Sequence, residues 1–142
     1  MMLNMLSIGF EEAENVIAAA STAALAMNVP QNIAVVDAAG HLVAFRRMDG
    51  AKFSSIDIAL AKAYTAAGAR KATGDILPAT LPGQPGFGLQ SLNGGRLTTL
   101  GGGIPLEVDG QVVGAIGVSS GSVDQDRQVA EAGARAFRPI GV

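Results

Sequence analysis

The stretch Ile104-Pro-Leu-Glu-Val-Asp-Gly-Gln-Val-Val-Gly-Ala-Ile-Gly-Val118 contains two β-prone runs separated by Asp109-Gly110. An Asp-Gly pair between alternating apolar residues favours a two-residue type I′ turn, because both of its residues can adopt a positive φ. The stretch therefore predicts a hairpin with strands at Ile104–Val108 and Gln111–Val118.

A second hairpin is predicted upstream, with Ile33–Val36 and His41–Met48 joined by the turn-forming segment Asp37-Ala-Ala-Gly40. Strand alternation divides the side chains of the second run between two faces. One face carries His41, Val43, Phe45 and Arg47, and the other carries Leu42, Ala44, Arg46 and Met48.

Apolar residues recur at three- and four-residue steps from Phe10 to Met27, which predicts a helix. Ser7 is its expected N-cap, and Asn28 with Pro30 ends it. The flanks of this helix are also rich in alanine, so we expect it to be buried on more than one side.

Two further helices are predicted from capping-box patterns, in which a serine precedes an acceptor by three residues. The first begins at Ser54 or Ser55, with Asp57 as the reciprocal partner, and ends near Arg70. The second begins at Ser122, with Gln125 as the partner, and ends before Pro139.

Residues 73–100 lack periodicity and contain several prolines and glycines, which predicts an extended loop with one helical turn near Ile76. Arg96–Leu100 is a candidate edge strand. The element order is then α-β-β-α-β-β-β-α. Because hairpins dominate, we expect one α+β domain over residues 1–142, with a mainly antiparallel sheet flanked by helices.

The composition excludes several classes of function. The chain has no cysteine, so disulfides and cysteine-based zinc sites are absent. Its net charge is −2 and charged residues make up 15%, which argues against nucleic acid as a partner. The N-terminus resembles no secretory signal, and no stretch approaches the about 20 apolar residues of a membrane span. We therefore expect a cytoplasmic protein without membrane contact, and the abundance of small apolar residues favours a homo-oligomer.

Several short sequence segments resemble, in their residues, order and spacing, those of the GlcG/HbpS-like family of haem-binding-protein-like domains. This family includes the C-terminal domain of PduO-type cobalamin adenosyltransferases. The resemblance spans roughly Phe10 to Phe137. The segments that carry the resemblance are Asn32-Ile-Ala-Val-Val-Asp-Ala-Ala-Gly-His-Leu-Val-Ala-Phe45, Arg47-Met-Asp-Gly50, Ala61-Lys-Ala-Tyr-Thr-Ala66, Gly102-Gly-Ile-Pro105, Val113-Gly-Ala-Ile-Gly-Val-Ser119 and Gln125-Asp126.

This resemblance implies a profilin-like fold with a five-stranded antiparallel sheet, and homo-oligomers that are dimers, tetramers or octamers. It also implies haem as a cofactor. In PduO-type domains the iron ligand is a histidine on the first helix, but Phe10–Met27 contains none. That ligand does not carry over, which weakens the haem prediction. The remaining candidate iron ligands are His41, Tyr64 and the methionines.

Arg47 and Asp49 are candidate ligand-binding residues at the end of the second strand. A planar guanidinium at Arg47 could hold a substrate carboxylate through two hydrogen bonds. The alternative is a structural ion pair or turn cap formed by the two residues.

Lys62 lies in the small, apolar stretch Ala59-Leu-Ala-Lys-Ala63, with Thr65 one turn later on the same helical face. Its ammonium could anchor an anionic ligand or, if desolvated, act as a base. The alternative is a side chain that extends along the surface to solvent.

The glycine run Gly101-Gly-Gly103 could bring backbone N–H groups close to an anion, or could be a flexible connector. His41, the single histidine, is either exposed at a turn or a ligand or proton-transfer group. Asp126 is interpreted as a first-turn helix charge. The residues show no ligand spacing typical of a metal site.

Three functions are compatible with these patterns. The first is a small-ligand-binding accessory or sensor protein. The second is a cofactor-free isomerase, tautomerase or lyase acting on a small carboxylic acid, with Lys62 and His41 as candidate catalytic residues beside Arg47 and Gly101–Gly103. A purely structural subunit of a larger complex is a third interpretation.

Overall fold

A computed structural model describes residues 1–141 and contains one antiparallel sheet. Its strands are β1 (Asn32–Asp37), β2 (Leu42–Arg47), β3 (Gly103–Val108) and β4 (Gln111–Ser119), in the spatial order β2-β1-β4-β3. Both predicted hairpins are confirmed, and β1 pairs with β4 at the centre of the sheet. Asp109 and Gly110 have φ values of 50° and 77°, as a type I′ turn requires.

Four helices accompany the sheet. They are α1 (Phe10–Ala26), α2 (Ser55–Ala69), α3 (Thr73–Ile76) and α4 (Val123–Ala136). The long loop contains α3 and three short 3₁₀ turns at Leu77–Thr80, Leu89–Ser91 and Asn93–Gly95. The predicted helical turn near Ile76 is therefore present.

The prediction of a fifth strand at Arg96–Leu100 is wrong, and the sheet has four strands over residues 1–141. The polar groups of this segment bond to side chains instead of to a neighbouring strand. Thr65 Oγ1 donates to the carbonyl of Arg96 at 3.3 Å and accepts from the N–H of Thr98 at 3.0 Å. The segment is thus fixed to α2 and does not join the sheet edge.

One of the three predicted N-caps is wrong, and a second lacks its predicted side-chain hydrogen bond. The N-cap of α1 is Gly9, whose N–H donates to Glu12 Oε1 at 3.0 Å, whereas Ser7 Oγ accepts from the N–H of Ala38. Ser54 is the N-cap of α2 as predicted, but it has helical backbone angles and makes no side-chain cap bond, so the predicted capping box with Asp57 does not form. The capping box of Ser122 and Gln125 is confirmed.

A β-bulge changes the predicted faces of β2. The register with β1 shifts between Val35 and Val36, so that Val36 pairs with Leu42 and Val35 pairs with Ala44. Val43 is the extra residue and packs with the cluster around α1, while Phe45 packs with the cluster around α2. The prediction that these two side chains share a face was therefore wrong.

The helices cover both faces of the sheet. α1 and α4 pack on one face through a cluster of mainly branched aliphatic side chains, which includes Val16, Ile17, Ile33, Val35, Leu106, Ile116, Val118 and Val129. α2 packs on the other face through a cluster dominated by alanine, which includes Ala34, Ala59, Ala63, Ala66, Ala67 and Ala115.

Glycines allow α2 to lie close to the sheet. A Cβ atom on Gly117 would overlap the carbonyl oxygen of Ala59, and a Cβ atom on Gly103 would overlap the carbonyl oxygen of Lys62. The backbone of α2 therefore contacts the backbones of β3 and β4 directly. This close approach decides the surroundings of Lys62.

Candidate functional site

The Lys62 side chain lies between α2 and the sheet and is 1% exposed. Its ammonium donates to the carbonyl of Val118 at 2.8 Å and to Asp126 Oδ2 at 2.9 Å. Burial lowers the pKa of Lys62, while the hydrogen bond and the negative charge of Asp126 act in the opposite direction. The alternative of a lysine that extends to solvent is wrong, because α2 lies too close to the sheet to leave an exit.

Asp126 is more than a first-turn charge of α4, because it is 3% exposed and paired with Lys62. Its second oxygen, Oδ1, accepts from the N–H of Gly121 at 2.9 Å. The two side chains thus link α2, the end of β4 and the beginning of α4. Sequence reasoning missed this contact because the two residues are 64 positions apart.

The glycine run lies directly over the Lys62 ammonium. A Cβ atom on Gly102, whose φ is +122°, would be 3.0 Å from Lys62 Nζ. The N–H of Gly103 already donates to Thr73 Oγ1 at 3.0 Å. Gly101–Gly103 also line a cleft of about 220 Å³, with Arg127 and Glu131 of α4 at its other side. Lys62 and the glycine run are therefore close together in the structure.

Arg47 and Asp49 lie elsewhere, at the end of β2 and just after it. They line a cleft of about 450 Å³ between the C-terminal end of α1 and the end of β2, which we call the Arg47 cleft. The described residues that line it are Ser21, Ala24, Leu25, Asn28, Val29, Pro30, Arg46, Arg47, Met48 and Asp49. Arg47 and Asp49 do not form the ion pair that was the structural alternative.

The other two candidates occupy separate places. Thr65 fixes the 96–98 segment through the two hydrogen bonds given above. His41 is exposed at the β1–β2 turn, where its backbone N–H donates to Asp37 Oδ1 at 3.0 Å. One chain therefore does not bring Arg47, Lys62 and His41 into a common cleft.

Tyr64 and Arg96 are in contact with each other, which sequence reasoning did not predict. The guanidinium carbon of Arg96 lies 4.1 Å from the centroid of the Tyr64 ring. Asn93 Nδ2 donates to the Tyr64 hydroxyl at 2.9 Å, and Arg96 Nε donates to the carbonyl of Asn93 at 3.2 Å. No sequence motif indicates this contact between a helix and a loop about 30 residues downstream.

Residues 1–141 contain no cluster of three histidine, cysteine or acidic side chains that could hold a metal ion. None of the helices in this part of the chain is long and apolar enough to cross a membrane.

The family model described as "Haem degrading protein HbpS-like" matches residues 8–135. An uncharacterized 15.0 kDa protein from the dhaT-dhaS intergenic region of Citrobacter freundii is 42% identical over 134 residues, which are 94% of each chain. The chain therefore belongs to the HbpS-like family, as the resemblance implied.

Solved structures agree with this assignment. The crystal structure of Klebsiella pneumoniae protein ORFY has a TM-score of 0.94 and 38% identity, over 96% of this chain and 94% of that one. The crystal structure of a PduOC–haem complex has a TM-score of 0.89 and 33% identity, over 94% of this chain and 96% of that one.

Proposed function

We propose that this HbpS-like protein is a small-ligand-binding accessory or sensor protein, and that its ligand combines an apolar body with carboxylate groups. The observation that carries this proposal is the Arg47 cleft, whose lining residues combine two arginines with several apolar residues. Haem has this combination of properties, and the similarity to the haem complex of PduOC supports it as the ligand.

The two arginines differ in how they are held. Arg46 Nη1 donates to Ser21 Oγ at 3.0 Å, which orients its guanidinium toward α1. Arg47 is exposed and pairs with no carboxylate of residues 1–141. Its planar guanidinium is thus available for a two-bond contact with a ligand carboxylate. Asp49 could accept a hydrogen bond from a hydroxyl or amino group of the same ligand.

The residues of the Arg47 cleft fit haem in their chemistry. Arg46 and Arg47 match its propionates, and Leu25 and Val29 match its ring. The α1 residues that line the cleft offer no iron ligand, but the thioether of Met48 is of a type that ligates haem iron. When bound, haem would supply a redox-active iron, while the chain would supply orientation and charge neutralisation.

The alternative of a cofactor-free isomerase, tautomerase or lyase finds less support. The Lys62 ammonium is buried and committed to Asp126 and Val118, whereas Arg47 is exposed and lines a cleft that does not include Lys62. A substrate could meet both groups only if a second copy of the chain contributed one of them.

Haem titration monitored at the Soret band tests the proposal. We expect saturable binding by the wild-type protein, and a loss of affinity of about tenfold in Arg47→Gln, the usual scale of a charge-assisted hydrogen bond. Met48→Leu should change the Soret position more than the affinity. Arg135→Gln removes an exposed arginine of α4 outside the cleft and is the matched control.

Iron-free protoporphyrin separates the two contributions, because it keeps the carboxylates and lacks the iron. It should bind in an Arg47-dependent way, and Met48→Leu should not affect it. If neither porphyrin gave a saturable spectral change, haem would be excluded as the ligand.

We further propose that the protein is a homo-oligomer, such as a dimer, tetramer or octamer. Phe10, Leu25 and Phe53 are 68%, 70% and 80% exposed, more apolar surface than a monomer of this size needs to leave in water. Light scattering at micromolar concentration should return a multiple of the single-chain mass. A single-chain mass would contradict the proposal.

A further inference from the structure

We propose a second ligand site in the cleft where α2, the β1–β2 turn and the loop around Arg96 meet. Its ligand class is a small zwitterion, namely an α-amino acid with an apolar side chain. We call this place the Tyr64 cleft, and it has a volume of about 450 Å³. It is separate from the Arg47 cleft and shares no lining residue with it.

The walls of the Tyr64 cleft are mostly apolar. The described residues that line it include Val36, Leu42, Leu60 and Ala61, together with the ring of Tyr64. Leu42, the first residue of β2, is 53% exposed. An aliphatic or aromatic side chain that entered the cleft would cover this surface.

Arg96 is the one cation among the residues that line the cleft, and it is held from two directions. Its guanidinium stacks on the Tyr64 ring, and its Nε donates to the carbonyl of Asn93. Both Nη groups remain available, because no carboxylate of residues 1–141 pairs with Arg96. A guanidinium oriented in this way is suited to a carboxylate, since little rotational freedom is lost on binding.

Asp57 is the one anion among the same residues. It lies in the first turn of α2 and is exposed, and no cation of residues 1–141 pairs with it. Asp57 and Arg96 line one cleft without forming an ion pair with each other. Their opposite charges therefore match a ligand that carries both an ammonium and a carboxylate.

The Tyr64 ring is fixed as the partition between this cleft and a neighbouring one of about 340 Å³. Gly40, with φ of +84°, packs against the ring so closely that a Cβ atom would be 3.1 Å from Tyr64 Cδ2. Asn93 holds the phenolic oxygen at the other end. The aromatic platform for Arg96 is thus set before any ligand binds.

Isothermal titration calorimetry with L-phenylalanine and L-leucine tests this site. We expect saturable binding, weakened about tenfold in Arg96→Gln and also in Asp57→Asn, because each change removes one charge-assisted contact. Phenethylamine, which lacks the carboxylate, should bind weakly to wild type and should be insensitive to Arg96→Gln. 3-Phenylpropanoate, which lacks the ammonium, should be insensitive to Asp57→Asn.

Arg135→Gln is the matched control for a lost arginine, and Arg47→Gln should leave amino-acid binding unchanged. Thermal melting of each variant checks that the fold is intact, which is expected for exposed side chains. The proposal is overturned if neither amino acid binds saturably, or if binding is the same in wild type, Arg96→Gln and Asp57→Asn. Failure here leaves the porphyrin results at the Arg47 cleft unaffected, because different residues carry them.

Discussion

The two faces of the sheet reach similar burial by different means. On the face toward α1 and α4, branched side chains such as Ile33 and Ile116 fill the space between the layers. On the face toward α2, alanines and glycines bring the helix backbone against the strand backbones. Large side chains fill the space between the layers on the first face. On the second face, small residues let the backbones of the helix and the strands touch.

This difference explains why the one buried lysine lies on the second face. α2 is so close to the sheet that a long side chain directed inward has no path to water. The Lys62 ammonium is therefore stable only with partners, which Asp126 and Val118 supply. Packing by small residues and a buried ion pair are consequences of the same close approach.

The largest effect is expected from Lys62→Met. The change leaves Asp126 buried without its cation and leaves the Val118 carbonyl without a donor. Breaking one partner of a buried pair costs about 3–5 kcal/mol, and we expect a loss of this size in the free energy of unfolding. Urea denaturation followed by circular dichroism measures it.

The double variant Lys62→Met/Asp126→Asn is the control for this experiment. Asparagine is neutral and can still accept from the N–H of Gly121, so most of the lost stability should return. A single variant as stable as wild type would mean that the pair does not stabilise this face.

The next effect concerns Gly117, which faces α2. Gly117→Ala adds one methyl group that would overlap backbone atoms of Ala59 and Ala63. Because backbone atoms cannot rotate away, α2 must move, and overpacking of this kind costs about 3 kcal/mol. Urea denaturation should show the loss, and a change below about 0.5 kcal/mol would contradict the close approach described here.

The sequence predicts features that depend on contacts between neighbouring residues. It does not predict those that depend on contacts between residues far apart in the chain. Asp109-Gly110 and Ser122 with Gln125 act on neighbouring residues, and both predictions were confirmed. Thr65 with Thr98, and Lys62 with Asp126, join residues 33 and 64 positions apart, and no local pattern indicates them. The strand at Arg96–Leu100 was wrong for this reason.

The same dependence on local or distant contacts applies to the candidate site residues. Lys62 could be selected from sequence because a lysine among alanines is unusual on a buried face. Its partner, and the separation of Lys62 from Arg47, depend on how the helices and loops pack around the sheet. Tyr64 and Arg96 meet only because the loop folds back over α2.

The pH dependence of stability offers a smaller test. Burial lowers the pKa of Lys62 below its value of 10.5 in the unfolded chain, against the opposing effect of Asp126. Between the two pKa values the unfolded state binds more protons at this residue than the folded state. The contribution of Lys62 to the free energy of unfolding therefore rises with pH up to about 10.5, by at most about 1.4 kcal/mol per unit.

Urea denaturation over a series of alkaline pH values measures this contribution as the difference between wild type and Lys62→Met/Asp126→Asn. The subtraction removes the titration of groups common to both proteins. A difference that stayed flat or fell with rising pH would contradict a lowered Lys62 pKa.

The smallest loss of stability is expected at Ile116, which precedes Gly117 in β4 and faces α1 and α4 on the other side of the sheet. Ile116→Val removes one methyl group from the aliphatic cluster and should cost about 1 kcal/mol, because neighbouring side chains can partly fill the space. A Cβ atom on Gly133 of α4 would be 2.7 Å from Ile116 Cδ1, which is the atom that this change removes. The remaining neighbours of that Cβ atom, at 3.1 and 3.2 Å, are tight but tolerable with a small shift.

Gly133→Ala should therefore destabilise the wild type and stabilise the Ile116→Val protein, where alanine also favours the helix by up to about 1 kcal/mol. A double-mutant cycle in urea measures the coupling, which should exceed about 0.5 kcal/mol in the favourable direction. Gly117→Ala should show no such rescue by Ile116→Val, because its obstacle is the backbone of α2. If the effects of Ile116→Val and Gly133→Ala were simply additive, side-chain volume would not be what sets the spacing on the aliphatic face.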